Sequence, residues 1–212
     1  MKRNIKKESL IFYTKKKCLK WGIKPEPALI FQDISKTKGP LGACKWTGSR
    51  FEIYLAEQLL NHPLEVSQGI ICHELAHIKE KDHFIKNQFP TSIALLFFSF
   101  IFSLLSFFIF KEVSFIFGFS IGLATTLLVS TWTSRRKEIQ ADLTSAKIDL
   151  FATLCMLNFI VELEDKIKKR DRLIYKLIKT FFNTHPTGKQ RRKAVEKKFK
   201  INNSTQHQAH DG

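Results

Sequence analysis

Pro63-Leu64-Glu65-Val66-Ser67-Gln68-Gly69-Ile70-Ile71-Cys72-His73-Glu74-Leu75-Ala76-His77-Ile78 is the stretch on which the reading of this chain turns. Pro63 and Glu65 suit the first turn of a helix, and apolar Val66, Ile70, Leu75 and Ile78 recur near helical spacing, so the segment predicts a helix. On it, His73 and His77 lie one turn apart on the same face. Two imidazoles so placed are two of the three protein ligands of an open zinc site, and Glu74 stands where it can take a proton from metal-bound water. With 7 histidines in 212 residues, a chain of this composition would show the pattern by accident about 1% of the time. It is the signature of a metal-dependent peptidase. Cys72 points to another side of the helix and is not expected to bind metal.

Short β-prone pieces precede this helix: 28–31, 41–46 and 51–55, with Thr47-Gly48-Ser49-Arg50 as the turn of a hairpin joining the last two. A small sheet is therefore expected. The edge strand of such a sheet holds an extended peptide by main-chain hydrogen bonds, and residues 42–46 are the candidate edge.

Downstream, Ser92 to Phe110 and Val113 to Trp132 are two uncharged runs separated by Lys111-Glu112. Each is about 20 residues, the length that spans roughly 30 Å of hydrocarbon. The remaining chain is too polar and too short to wrap two helices that are apolar all round, so they read as a transmembrane hairpin. Ser, Thr and Gly along both runs allow close helix contact in lipid and leave a homo-oligomer open.

The net charge is +16, with Lys79, Lys81 and Lys86 before the hairpin and Arg135, Arg136 and Lys137 after it. The positive-inside rule places both ends of the hairpin, and hence both termini and the histidine pair, on the cytoplasmic side of the cell inner or plasma membrane. Met1 to Lys7 is charged but no apolar run follows, so it is not a secretory signal. Membrane lipids are the expected partners of the basic blocks; no nucleic-acid module accompanies them, and nucleic acid is not expected to bind. The four cysteines form no close pair and read as free thiols in a reducing compartment.

The expected organisation is a basic amphipathic helix over 1–24, which either lies on the membrane or packs on the domain. The N-terminal part of the catalytic domain follows over 25–90, the hairpin over 91–132, the C-terminal part over 133–200, and a polar disordered tail over 201–212.

A catalytic zinc needs a third protein ligand. Glu138 lies on a helix that the hairpin returns to the side of the membrane bearing His73 and His77. Asp142, one turn on, is placed to accept a hydrogen bond from the outer nitrogen of a ligand histidine. The rival third ligand is His83, shortly after His77, although no glycine supplies the chain reversal that a nearby third histidine uses.

His73-Glu74-Leu75-Ala76-His77, then Ser134 to Asp142 after the hairpin, then Thr184-His185-Pro186 with Arg191, resemble in order and spacing the HtpX-like membrane metallopeptidases, relatives of the CaaX prenyl endopeptidases. The resemblance covers about residues 42–195. It implies an α+β fold: a mainly helical zincin-type domain with a small N-terminal sheet and the inserted two-helix hairpin. It also implies one Zn²⁺ per chain on His73, His77 and Glu138, with Asp142 as the partner behind a ligand. His185 and Arg191 would face the substrate and stabilise the oxyanion.

The expected activity is that of a membrane-anchored zinc endopeptidase cutting protein or peptide substrates at the cytoplasmic face, in membrane-protein quality control. A narrow-specificity processing protease and a membrane zincin sensor or regulator are the alternatives.

Overall fold

The computed structural model describes residues 2–33, 41–80, 131–170 and 186–201, with the single positions 97, 101 and 104. Apart from positions 97, 101, 104, 131 and 132, the expected hairpin lies outside the described residues, as do His83, His185 and the tail beyond 201. Among the described residues no helix is long and apolar enough to cross a membrane.

Helix α1 (Lys2–Trp21) buries Leu10, Thr14 and Cys18, spaced at i, i+4 and i+8, and leaves lysines on its outer faces. It stops at Gly22, whose φ of +64° lets the Ile23 amide bond back to the Cys18 carbonyl at 3.1 Å. The helix packs on the domain through polar contacts as well. Tyr13 donates to Asp149 at 2.8 Å and its hydroxyl meets the Cys72 thiol at 3.1 Å, while Lys17 pairs with Asp149 at 2.9 Å.

The sheet contains β1 (Ala28–Gln32), β2 (Gly42–Trp46) and β3 (Phe51–Ala56) in the order β1-β3-β2. β1 runs parallel to β3, and β2 is antiparallel to it across the 47–50 turn. Gly48 takes a φ of +94° in that turn, and Trp46 faces Phe51 in register with ring centroids 4.7 Å apart. Strand alternation puts Ile53 and Leu55, at 0% and 1% exposure, on the core face. Burying each contributes on the order of 1.5–3 kcal/mol.

Helix α2 occupies residues 64–80 and forms the centre of the domain, burying Val66, Ile70, Ile71, Leu75 and Ile78. Helix α3 covers 131–148, and α4 (Leu150–Arg170) follows after a break at Asp149, whose carboxylate caps the Ala152 amide at 3.1 Å. Gly69 lets α2 and α4 cross closely: a Cβ there would run into the Ala152 carbonyl and the Met156 side chain. Helix α5 (Gly188–Phe199) begins with a capping box between Thr187 and Gln190 and docks on α4, its Gly188 amide bonding Glu164 at 2.9 Å. The domain is thus mainly helical with a small mixed sheet.

Candidate metal centre

His73 and His77 project from the same face of α2 because they are four residues apart. Their Nε2 atoms lie 3.1 Å from each other, and α3 brings the Glu138 carboxylate to 3.4 Å from His73 Nε2 and 3.6 Å from His77 Nε2. All three donors fall within 4.8 Å of one another. Four ligands at zinc distances form a tetrahedron with edges of about 3.3 Å, so the three separations match a half-built zinc shell. Two imidazole nitrogens facing each other with a carboxylate alongside are a donor set that could hold a cation between them. Two nitrogens and one oxygen are the donor set of catalytic zinc, whereas magnesium and calcium take oxygens throughout.

Behind the cluster, His73 Nδ1 donates to Asp142 Oδ1 at 2.9 Å, a bond that would leave the Nε2 lone pair for a cation once Nε2 gives up its proton. Asp142 has no exposed surface. Arg191, reaching over from α5, grips it with two hydrogen bonds of 2.6 and 2.7 Å, Nε to Oδ2 and the terminal nitrogen to Oδ1. The same guanidinium stands 3.3 Å from His73 Nδ1 and 3.6 Å from Glu138. One buried guanidinium thereby ties two carboxylates and His73 together.

The charges set the protonation pattern. Burial would lower the pKa of His73, but its hydrogen bonds to Asp142 and Glu138 outweigh this and lift it to about 9. Burial and the neighbouring His73 push His77 down to about 4. Burial would raise the pKa of Glu138, but its contact with His73 and the charges of His73 and Arg191 hold it at about 2, an ionised carboxylate. Glu74, only 7% exposed, is pushed above the ordinary carboxylate value chiefly by burial, which makes it the more basic carboxylate of the site.

A cleft of about 420 Å³ opens over these groups. Its lining includes Gly42 to Cys44 of β2 and the apolar side chains of Ile70 from α2 and Met156 and Ile160 from α4. A Cβ at Gly42 would press on Ile70 and come within 3.2 Å of Glu74 Oε1, so glycine is what allows the strand this close to the glutamate. Among the described residues, β2 is an outer strand of the sheet, antiparallel to β3.

The structure therefore gathers His73, Glu74, His77, Glu138, Asp142 and Arg191 in one place. Arg191 lines the cleft and is bound to Asp142. That clamp was not legible, because it joins positions 49 residues apart through the docking of α5. Also unforeseen were Cys44 and the Met156 and Ile160 wall; the alternation of 42, 44 and 46 on one strand face was the available signal for Cys44.

Comparison with known proteins gives two findings. The sequence model of peptidase family M48 matches residues 43–198. The crystal structure of S. mikatae Ste24p superposes with a TM-score of 0.56 at 20% identity, covering 86% of this chain and 49% of that one. The chain thus spans about half the length of that protein, and the likeness is one of fold. No curated protein sequence matches it.

Proposed function

The chain belongs to peptidase family M48, a family of metallopeptidases, and from that premise we propose that it is a membrane-anchored zinc endopeptidase in which His73, His77 and Glu138 hold the metal and Glu74 is the general base. The observation that carries this reading is the convergence of the three donors at tetrahedral separations beside a buried glutamate. When bound, zinc supplies a Lewis acid that polarises the scissile carbonyl and acidifies its water.

The chain's own residues do the rest. Glu74 takes the proton of the attacking water and passes it to the leaving amine, contributing roughly 10²–10⁴-fold. Asp142 keeps His73 in the tautomer that presents its lone pair, and Arg191 keeps Asp142 in place. The cationic edge of Arg191 that lines the cleft, together with His185, stabilises the developing oxyanion. Substrate backbone pairs along the outer edge of β2, which aligns the scissile bond with the base. The wall of Ile70, Met156 and Ile160 then favours an apolar side chain next to the scissile bond.

The uncharged runs 92–110 and 113–132 support a membrane anchor, and the basic residues that flank them support a cytoplasmic face for the site. Protein substrates damaged in or near the membrane fit an open, backbone-reading cleft, which is the basis for a quality-control role. Glu74→Gln tests the proposal: bound metal should remain while cleavage of casein falls at least 10²-fold, the lower end of a general base's contribution. Turnover at the wild-type rate would remove Glu74 as the base.

A further inference from the structure

The β2 strand that walls the cleft carries a side chain that no part of the mechanism above uses. Strand alternation puts Gly42 and Cys44 on the same face, and that face is turned toward α2, where Gly42 lies against Ile70 and Glu74. Cys44 is half-buried, lines the cleft, and its thiol donates a hydrogen bond to the Glu74 carboxylate. The strand itself is held by pairing of Cys44 with Ile53, a residue with no exposed surface. Building on the proposed function, we propose that Cys44 is a positioning residue: its thiol fixes the rotamer of Glu74 relative to the strand along which substrate binds.

The physical case rests on what a buried carboxylate needs. A glutamate has three side-chain torsions, and one directed hydrogen bond from a rigid strand removes most of the freedom at its head. A thiol has a single proton to donate, so it orients the carboxylate and leaves the second oxygen open. The donor sits on the element that pairs with substrate. Base and scissile bond are therefore referenced to the same backbone, the kind of alignment whose loss by about 1 Å lowers rates by up to about 10²-fold.

The test uses the full-length, detergent-solubilised protein with its metal and fluorescein-labelled casein as the probe. Cys44→Ala should lower kcat roughly tenfold with KM unchanged, since the thiol acts through the base rather than on substrate. Cys44→Ser, which keeps a donor at the same place, should recover most of that loss. Infrared spectroscopy gives a readout that needs no turnover: the S–H stretch that disappears in Cys44→Ala should sit at a hydrogen-bonded frequency in the wild type and move toward the free-thiol frequency in Glu74→Gln. Full kcat in Cys44→Ala, no recovery in Cys44→Ser, or an S–H band indifferent to Glu74→Gln would each overturn the inference. A Glu74→Gln protein that cleaves like wild type overturns the reading of Glu74 as base and this inference with it; an inactive Glu74→Gln beside an unaffected Cys44→Ala overturns this inference alone.

Discussion

Asp142 joins a histidine of the candidate metal site to a buried guanidinium. It has no exposed surface, accepts from His73 and is gripped twice by Arg191. Asp142→Asn removes the charge that compensates a buried guanidinium and weakens the bond that sets the His73 tautomer. Breaking one side of a buried pair costs about 3–5 kcal/mol. For a domain of this size each kcal/mol shifts the melting temperature about 2–4 °C, so a loss of roughly ten degrees is expected in a thermal melt. Metal affinity should fall about 10–100-fold in a chelator competition, as it does when the partner of a ligand histidine is removed. A variant with wild-type melting and affinity would show that Arg191 and Asp142 do not act as a clamp. Position 142 was legible in the sequence because it lies one helical turn from Glu138. Its bond to Arg191 was not, since nothing local at Arg191 distinguishes it from its basic neighbours.

At the scale of elements, two junctions around α2 set the shape of the cleft. The first is the crossing with α4 at Gly69, where a methyl group meets backbone rather than a yielding side chain. Gly69→Ala should destabilise the fold by about 1–3 kcal/mol, the usual effect of overpacking, and lower cleavage, because Met156 belongs to the cleft wall. Equal melting temperatures for the two proteins would contradict the close crossing. The second is the anchor of α1 on Asp149. Burial alone would raise the pKa of Asp149, but bonds from Lys17, the Ala152 amide and Tyr13 hold it below the ordinary carboxylate value. Since the folded-state pKa lies below that of the unfolded chain, this stabilisation is complete above the ordinary range, about pH 4. It is lost as pH falls through the folded value. The wild type should therefore lose more stability between pH 6 and about pH 3 than Asp149→Asn does, measured by urea unfolding; parallel curves would contradict the assignment. The strands and α2 were legible because hydrophobic period and turn residues mark them locally. The order β1-β3-β2 and the packing side of α1 were not, because each is decided by contacts between segments distant in sequence.

For the whole molecule, the sequence motifs already spelled the histidine pair, the intervening glutamate and the return of Glu138 after a long apolar insertion. Their convergence depends on α2, α3 and α5 meeting, which only the fold shows. The two uncharged runs make a separate, whole-molecule prediction. Membranes from cells making the protein should retain it through an alkaline carbonate wash, and its C-terminal tail should be cut by protease added to inverted vesicles and protected in right-side-out ones. Release by carbonate, or the opposite pattern of protection, would contradict the anchor or its orientation. The metal centre is the claim on which the rest depends, and metal content by mass spectrometry of the purified detergent-solubilised protein tests it most directly. One zinc per chain is predicted in the wild type, in Glu74→Gln and in His83→Ala, with its loss in Glu138→Ala; a metal-free wild type, or zinc kept by Glu138→Ala and lost by His83→Ala, would contradict it.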